Sequence, residues 1–157
     1  EPLILGEATR VMSLRDGSKK MSKSDPSDYS RIMLTDSADN ITQKIRKAKT
    51  DPKPLPENIT ELNSRPEAQN LISIFASLQD NSIEKIVSEY AGKEFSIFKK
   101  DLADLAASKL EPISGEINKL MGDTSHLDSI LKDGKEKAIA VAEPVLEKTK
   151  EIIGFLS

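Results

Sequence analysis

Residues 94–121 read EFSIFKKDLADLAASKLEPISGEINKLM. Phe95, Phe98, Leu102, Leu105, Ala106, Leu110, Ile113, Ile117 and Leu120 recur at three- and four-residue intervals. This is the spacing of one face of an α-helix, and a strand's period of two does not fit it. The polar residues fall between them on the remaining faces, so the helix lays one stripe on a core. Pro112 lies inside the pattern and is expected to kink the helix.

The pattern extends in both directions. Upstream, Pro66 opens a helix with Ala68, Leu71, Ile72, Phe75 and Leu78 as its inner face. Asp80-Asn81-Ser82 ends it, and Ser82 caps a shorter helix carrying Ile83, Ile86, Val87 and Tyr90. Thr35-Asp36-Ser37 offers caps for a helix over 37–49, with Ala38, Ile41, Ile45 and Ala48 inward. Lys44, Arg46, Lys47 and Lys49 lie near its end, where cations suit either the helix dipole or an RNA backbone. Pro52, Pro54 and Pro56 alternate between these helices and predict a stiff extended connector.

Downstream, Gly122-Asp123-Thr124 separates a last helix over 125–153. Its stripe is Leu127, Ile130, Leu131, Ala138, Val141, Ala142, Val145, Leu146, Thr149 and Ile152. A break or bend is expected at Gly134 or Pro144. The sum is a mainly α protein, a helical bundle of four or five helices.

Composition narrows the chemistry. Apolar side chains make up 37% of the 157 residues and charged ones 31%. That suffices for one core. Cysteine is absent, which removes disulfides, thiolate metal sites and a cysteine nucleophile. His126 is the one histidine. Its neighbours Ser125 and Asp128 point to other helix faces, so no catalytic triad forms. Neither it nor the exposed pair Glu147 and Glu151 reads as a catalyst or metal ligand. A net charge of −3 argues against indiscriminate coating of nucleic acid. No apolar run is long enough to span a membrane, and no secretory signal pattern is present.

The non-helical lead carries the chemistry. Glu1–Gly6 reads as an arm, and Thr9–Leu14 as one short strand at the end of a larger sheet. Then comes Gly17-Ser18-Lys19-Lys20-Met21-Ser22-Lys23-Ser24-Asp25-Pro26. Glycine and serine let a ligand approach the backbone, and lysine is a mobile point charge suited to phosphate. Asp25-Pro26-Ser27-Asp28 reads as a helix N-terminus, which would add an anion-binding end to the loop. Lys20 and Lys23 are spaced to reach one triphosphate, with Met21 packing the loop down.

Lys20-Met21-Ser22-Lys23-Ser24 matches the signature loop of class I aminoacyl-tRNA synthetases letter for letter. Arg10-Val11-Met12-Ser13-Leu14 before it, and Ile32, Leu34-Thr35-Asp36-Ser37, Ile41, Lys44-Ile45, Ala48 and Thr50-Asp51 after it, narrow the likeness. Together they resemble the tryptophanyl-tRNA synthetases of bacterial and organellar type, along the whole chain. The resemblance implies that residues 1–34 are the end of a Rossmann catalytic domain and 35–157 a helical domain that contacts the tRNA anticodon. It implies ATP as substrate with Mg²⁺, a tryptophanyl-adenylate intermediate, tRNA as partner, a homodimer and a cytoplasmic setting. It assigns Lys20 and Lys23 to catalysis, and Val11, Lys20, Met21, Ser22, Lys23 and Ser24 to ATP. Val11 would meet the adenosine through its backbone.

The chain carries no HIGH-type motif and no tryptophan pocket. It is therefore expected to be the C-terminal portion of the enzyme, inactive alone. Tyrosyl-tRNA synthetase is the rival within the class, and a non-catalytic helical module binding RNA or protein is the rival outside it.

Overall fold

A computed structural model describes residues 10–155. The Glu1–Gly6 arm and Thr9 lie outside the described residues. Among the described residues five α-helices follow the lead: α1 (Ala38–Arg46), α2 (Pro66–Gln79), α3 (Ile83–Tyr90), α4 (Phe95–Gly122) and α5 (Thr124–Ile153). Short 3₁₀ turns occupy Asp28–Ser30 and Ile59–Ser64. The mainly α architecture is thus the one that the periodicity predicts.

Helix ends fall where side chains can satisfy free backbone donors. Ser37 accepts from the Asn40 amide at the start of α1, and Ser82 from the Lys85 amide at the start of α3. Asp80 takes a left-handed conformation that ends α2, a common way to close a helix.

The chain divides into two compact units, Glu1–Gly115 and Glu116–Ser157. The first holds the core. Phe98, Ile41, Ile45, Leu71, Ile72, Ile86 and Leu102 are its largest fully buried apolar side chains. Burying each such side chain is worth about 1.5–3 kcal/mol. The rings of Phe75, Tyr90 and Phe98 meet with centroids 4.9–5.4 Å apart. These contacts tie α2, α3 and α4 together.

The proline-rich connector is fixed from two sides. Arg65 grips Asp51 with two bonds, Nε to Oδ2 at 2.9 Å and Nη2 to Oδ1 at 2.8 Å, the strong bidentate form of such a pair. The same Nη2 donates to the carbonyls of Lys53 and Pro54. Burial pushes the Asp51 carboxyl up, but the Arg65 bonds prevail and hold it below its usual range. Leu55 then exchanges backbone bonds with the α3–α4 junction, donating to Lys93 O and accepting from the Gly92 amide.

Three expectations change. No strand ladder forms among the described residues: Met12 makes a single antiparallel bridge, to Lys20 of the loop itself. Asp25-Pro26 does not start an α-helix. The Asp25 carboxylate accepts from the Ser27 amide, and only the three-residue 3₁₀ turn follows. A local side-chain turn of this kind competes with helix. The third change concerns α5, which runs unbroken through Gly134 and Pro144 and buries none of its residues. Its stripe faces solvent, with Val141 74% and Ile152 75% exposed.

Candidate functional site

The lead is built as a hairpin rooted in the helices. The Ser13 amide donates to Lys19 O at 2.8 Å and the Met21 amide to Val11 O at 3.1 Å, on either side of the Met12–Lys20 bridge. At the tip, the Asp16 carboxylate accepts from the Ser18 hydroxyl at 2.6 Å and the Ser18 amide at 3.1 Å, and pairs with Lys19. The Ser18 hydroxyl and Lys19 hold the Asp16 carboxyl down at about 2.

The roots are specific. The Leu14 amide donates to Ser30 O and its carbonyl accepts from the Lys49 amide at 2.7 Å. Gly17 lies against the first turn of α2. A Cβ there would sit 2.6 Å from the backbone of Pro66 and Glu67, so only glycine fits.

Beyond Met21 the attachments become local. The turn Ser22–Asp25 is closed by the Asp25 amide on Ser22 O at 3.4 Å and the Ser24 amide on Ser22 Oγ at 3.2 Å. The chain is secured again by Arg31, whose guanidinium donates to Asp25 O at 2.9 Å and pairs with Asp28. Lys44 is buried beneath this segment, 2.8 Å from Asp28 and 2.6 Å from Asp36. Burial alone would pull the Lys44 ammonium down, yet its two carboxylate partners hold it above its ordinary value.

An open cavity of about 760 Å³ lies between the hairpin and the segment after it. Val11, Lys20, Met21, Ser22 and Lys23 line it, together with Arg10, Arg31, Ile32 and Met33. Five of the six residues expected at an ATP site thus share one space, and Ser24 is not among its lining. Among the described residues the lining contains four cationic side chains and no carboxylate. Among the described residues neither Lys20 nor Lys23 is paired with an acid. Lysines without acid partners around an apolar-edged hollow favour an anion with a flat apolar part.

The two lysines differ in support. Lys20 stands on the bridged arm, whereas Lys23 stands on the locally closed turn. Arg31 and Asn70 escaped the sequence reading. Arg31 follows the loop as a single cation in the sequence, and its Nε is buried without a partner among the described residues. Asn70 is a polar residue inside an apolar helix face, which is a legible signal of a buried hydrogen-bonding role.

The basic end of α1 is mostly spoken for. Lys44 is in the buried cluster, Lys47 stacks 4.6 Å over the Tyr29 ring, and Lys49 pairs with Glu67 at 2.8 Å. Lys99 reaches across to the carbonyls of Arg46 and Ala48, and its burial lowers its proton affinity. A lysine on the last carbonyls closes the end of α1. These contacts supply a structural reason for the cations at that end.

The chain is similar to known proteins. The family described as tRNA synthetases class I (W and Y) matches residues 3–112. The tryptophan–tRNA ligase of Rhizobium meliloti (strain 1021) is 60% identical over 156 residues, covering 99% of this chain and 44% of its own length. That of Caulobacter vibrioides is 54% identical over 155 residues, with 45% of its length covered. The crystal structure of tryptophanyl-tRNA synthetase from Mycoplasma pneumoniae superposes with a TM-score of 0.74 at 24% identity, over 96% of this chain and 47% of that one. At that identity the likeness concerns the fold. The chain spans less than half the length of these relatives.

Proposed function

The chain belongs to the class I tRNA synthetases of tryptophan and tyrosine (W and Y), and from this we propose that it supplies the ATP-phosphate lid and the helical tRNA-binding part of a tryptophan–tRNA ligase. The observation that carries the reading is the shared cavity, where Val11, Lys20, Met21, Ser22 and Lys23 meet with no acid among them. Tryptophan, in preference to tyrosine, is supported by the 60% identity over nearly the whole chain.

In this reading ATP and tryptophan react to tryptophanyl-adenylate and pyrophosphate, and the amino acid then passes to tRNA. Negative charge shifts onto the α-phosphate and the departing pyrophosphate as the first step proceeds. A cation that meets this charge only as it develops lowers the barrier, while one that binds ATP equally before and after does not. Lys23 suits the first role because its turn is closed by weak local bonds, with Arg31 securing only its far end at Asp25 O, and can move with the phosphates. Lys20 suits steady phosphate contact, since its backbone is bridged to Met12. Val11 offers its backbone and Met21 its thioether to the adenosine side. Mg²⁺ is read as part of the triphosphate substrate; among the described residues no three His, Cys, Asp or Glu side chains converge on a metal position. Tryptophan recognition is assigned to the portion of the longer enzyme that this chain does not span, and the whole enzyme is read as a cytoplasmic homodimer. No helix among the described residues is long and apolar enough to cross a membrane.

The test is Lys23→Ala in the full-length enzyme. Tryptophan-dependent pyrophosphate exchange is expected to lose about 10²–10³ in kcat while tryptophan affinity stays near wild type. An unchanged kcat would remove Lys23 from the mechanism.

A further inference from the structure

We propose that Asn70 is the positioning residue of the phosphate cavity. Its side-chain amide fixes the Met12 backbone, and so decides that Val11 and the Lys20–Met21 arm face the same space.

The hairpin arms hold each other by one isolated bridge, flanked by two backbone bonds. Two short arms of this kind are marginal in water without a third neighbour. The outer edge of Met12 has such a neighbour, and it is a side chain. Asn70 Oδ1 accepts from the Met12 amide at 2.9 Å, while Asn70 Nδ2 donates to Met12 O at 3.0 Å and Ser13 O at 3.4 Å. A carboxamide offers a carbonyl and an N–H, so it can stand in for the backbone of an adjoining strand. Asn70 is only 5% exposed, and burial of a carboxamide is tolerated where its bonds are made. Its place is fixed in turn by Leu71 and Ile72, both 1% exposed in the core beside it. Gly17 permits the approach, because the hairpin tip touches the first turn of the same helix.

The consequence for the cavity is a matter of register. Slipping Met12 by one residue against the loop would turn one arm's side chains over relative to the other's, so that Val11 no longer stood opposite Met21. The site's meaning rests on the phosphate reading above, but its geometry does not.

The experiment compares Asn70→Leu with Ile86→Val in the 157-residue chain. Ile86 is fully buried on α3, so its variant serves as a control for general loss of stability. The primary readout is hydrogen-exchange protection of the Met21 amide, which bonds Val11 O and does not touch Asn70. Asn70→Leu is expected to reduce that protection about tenfold or more, and Ile86→Val to leave it unchanged. Binding of inorganic tripolyphosphate, followed through the lysine side-chain resonances, is expected to weaken about tenfold in Asn70→Leu alone.

Asn70→Asp gives a second handle, including where the leucine variant fails to fold. Its carboxylate would face the carbonyls of Met12 and Ser13, and only the protonated acid can donate to them. Met21 protection is therefore low at neutral pH and recovers as the pH falls. Unchanged Met21 protection in Asn70→Leu, equal loss in Ile86→Val, or no recovery in Asn70→Asp would overturn the assignment. If the unmutated chain does not bind tripolyphosphate while Met21 responds as stated, the positioning role stands and the phosphate reading falls.

Discussion

Helices α4 and α5 carry apolar stripes of the same period and meet opposite environments. In α4, Phe95, Phe98, Leu102, Ala103 and Ala106 are buried, and Phe98 is sealed entirely. In α5, 30 residues long, not one side chain is buried. A repeat of three and four residues says that a chain segment can be helical with one apolar side. It does not say what stands opposite that side. α4 is packed because Phe75 and Tyr90 reach its Phe98 ring. Buried aromatic and polar contacts across elements, and not the stripe itself, separate the two helices.

The sharpest way to break this comparison is a matched pair of truncations. Phe98 fills a fully buried ring site. Phe98→Ala empties it and is expected to cost about 3–5 kcal/mol by urea unfolding. Val141 is largely exposed on α5. Val141→Ala is expected to change stability by roughly 0.5 kcal/mol or less. Equal losses would mean that α5 has a packed partner in solution. A smaller effect tests the anchored loop. Gly17→Ala places a methyl 2.6 Å from backbone atoms that cannot rotate away. That overpacking should cost about 1–3 kcal/mol. The hairpin amides, including those of Ser13 and Met21, should shift with it by NMR while α5 resonances stay put.

The smallest effect is a titration. Asp16 is held at about 2, against an ordinary 3.8, by the Ser18 hydroxyl and Lys19. The folded carboxyl therefore binds its proton less readily than the unfolded one. Its contribution is complete above the ordinary value and is lost as the pH falls toward about 2. The Asp16 carboxyl carbon should titrate with a midpoint near the lower figure, and the Ser18 amide should move with it. A midpoint at the ordinary value would show that the hairpin tip is not closed in solution.

Much of this was legible in the residues. Ser37, Pro66 and Ser82 sit at helix starts because their side chains or rings suit those positions, and such rules act over a few residues. The stripes of α1 to α3 and the front of α4 were legible for the same reason. The loop's lysines were legible as phosphate-suited charges among small residues, whereas Val11 and the assignment to ATP came only by likeness to known letters. What escaped is long in range. Nothing near Met12 announces that its partner lies on a helix 58 residues later. Nor does the Lys44 cluster show in the sequence, since its two carboxylates come from a turn and a loop. The failed helix at Asp25-Pro26 has a local cause. A short carboxylate that bonds the amide two residues on can favour a turn as readily as a cap.

That separation of 58 residues also has a consequence in time. A ribosome adds roughly 5–20 residues per second, so Asn70 is joined to the chain about 3–12 s after Met12. Until then the lysine hairpin has no third edge along Met12, and its backbone ties to the rest of the chain are those of Leu14 to Ser30 and Lys49. The hairpin is therefore made well before the side chain that borders it. A nascent chain halted between these two residues would display the letters of the loop without its cavity.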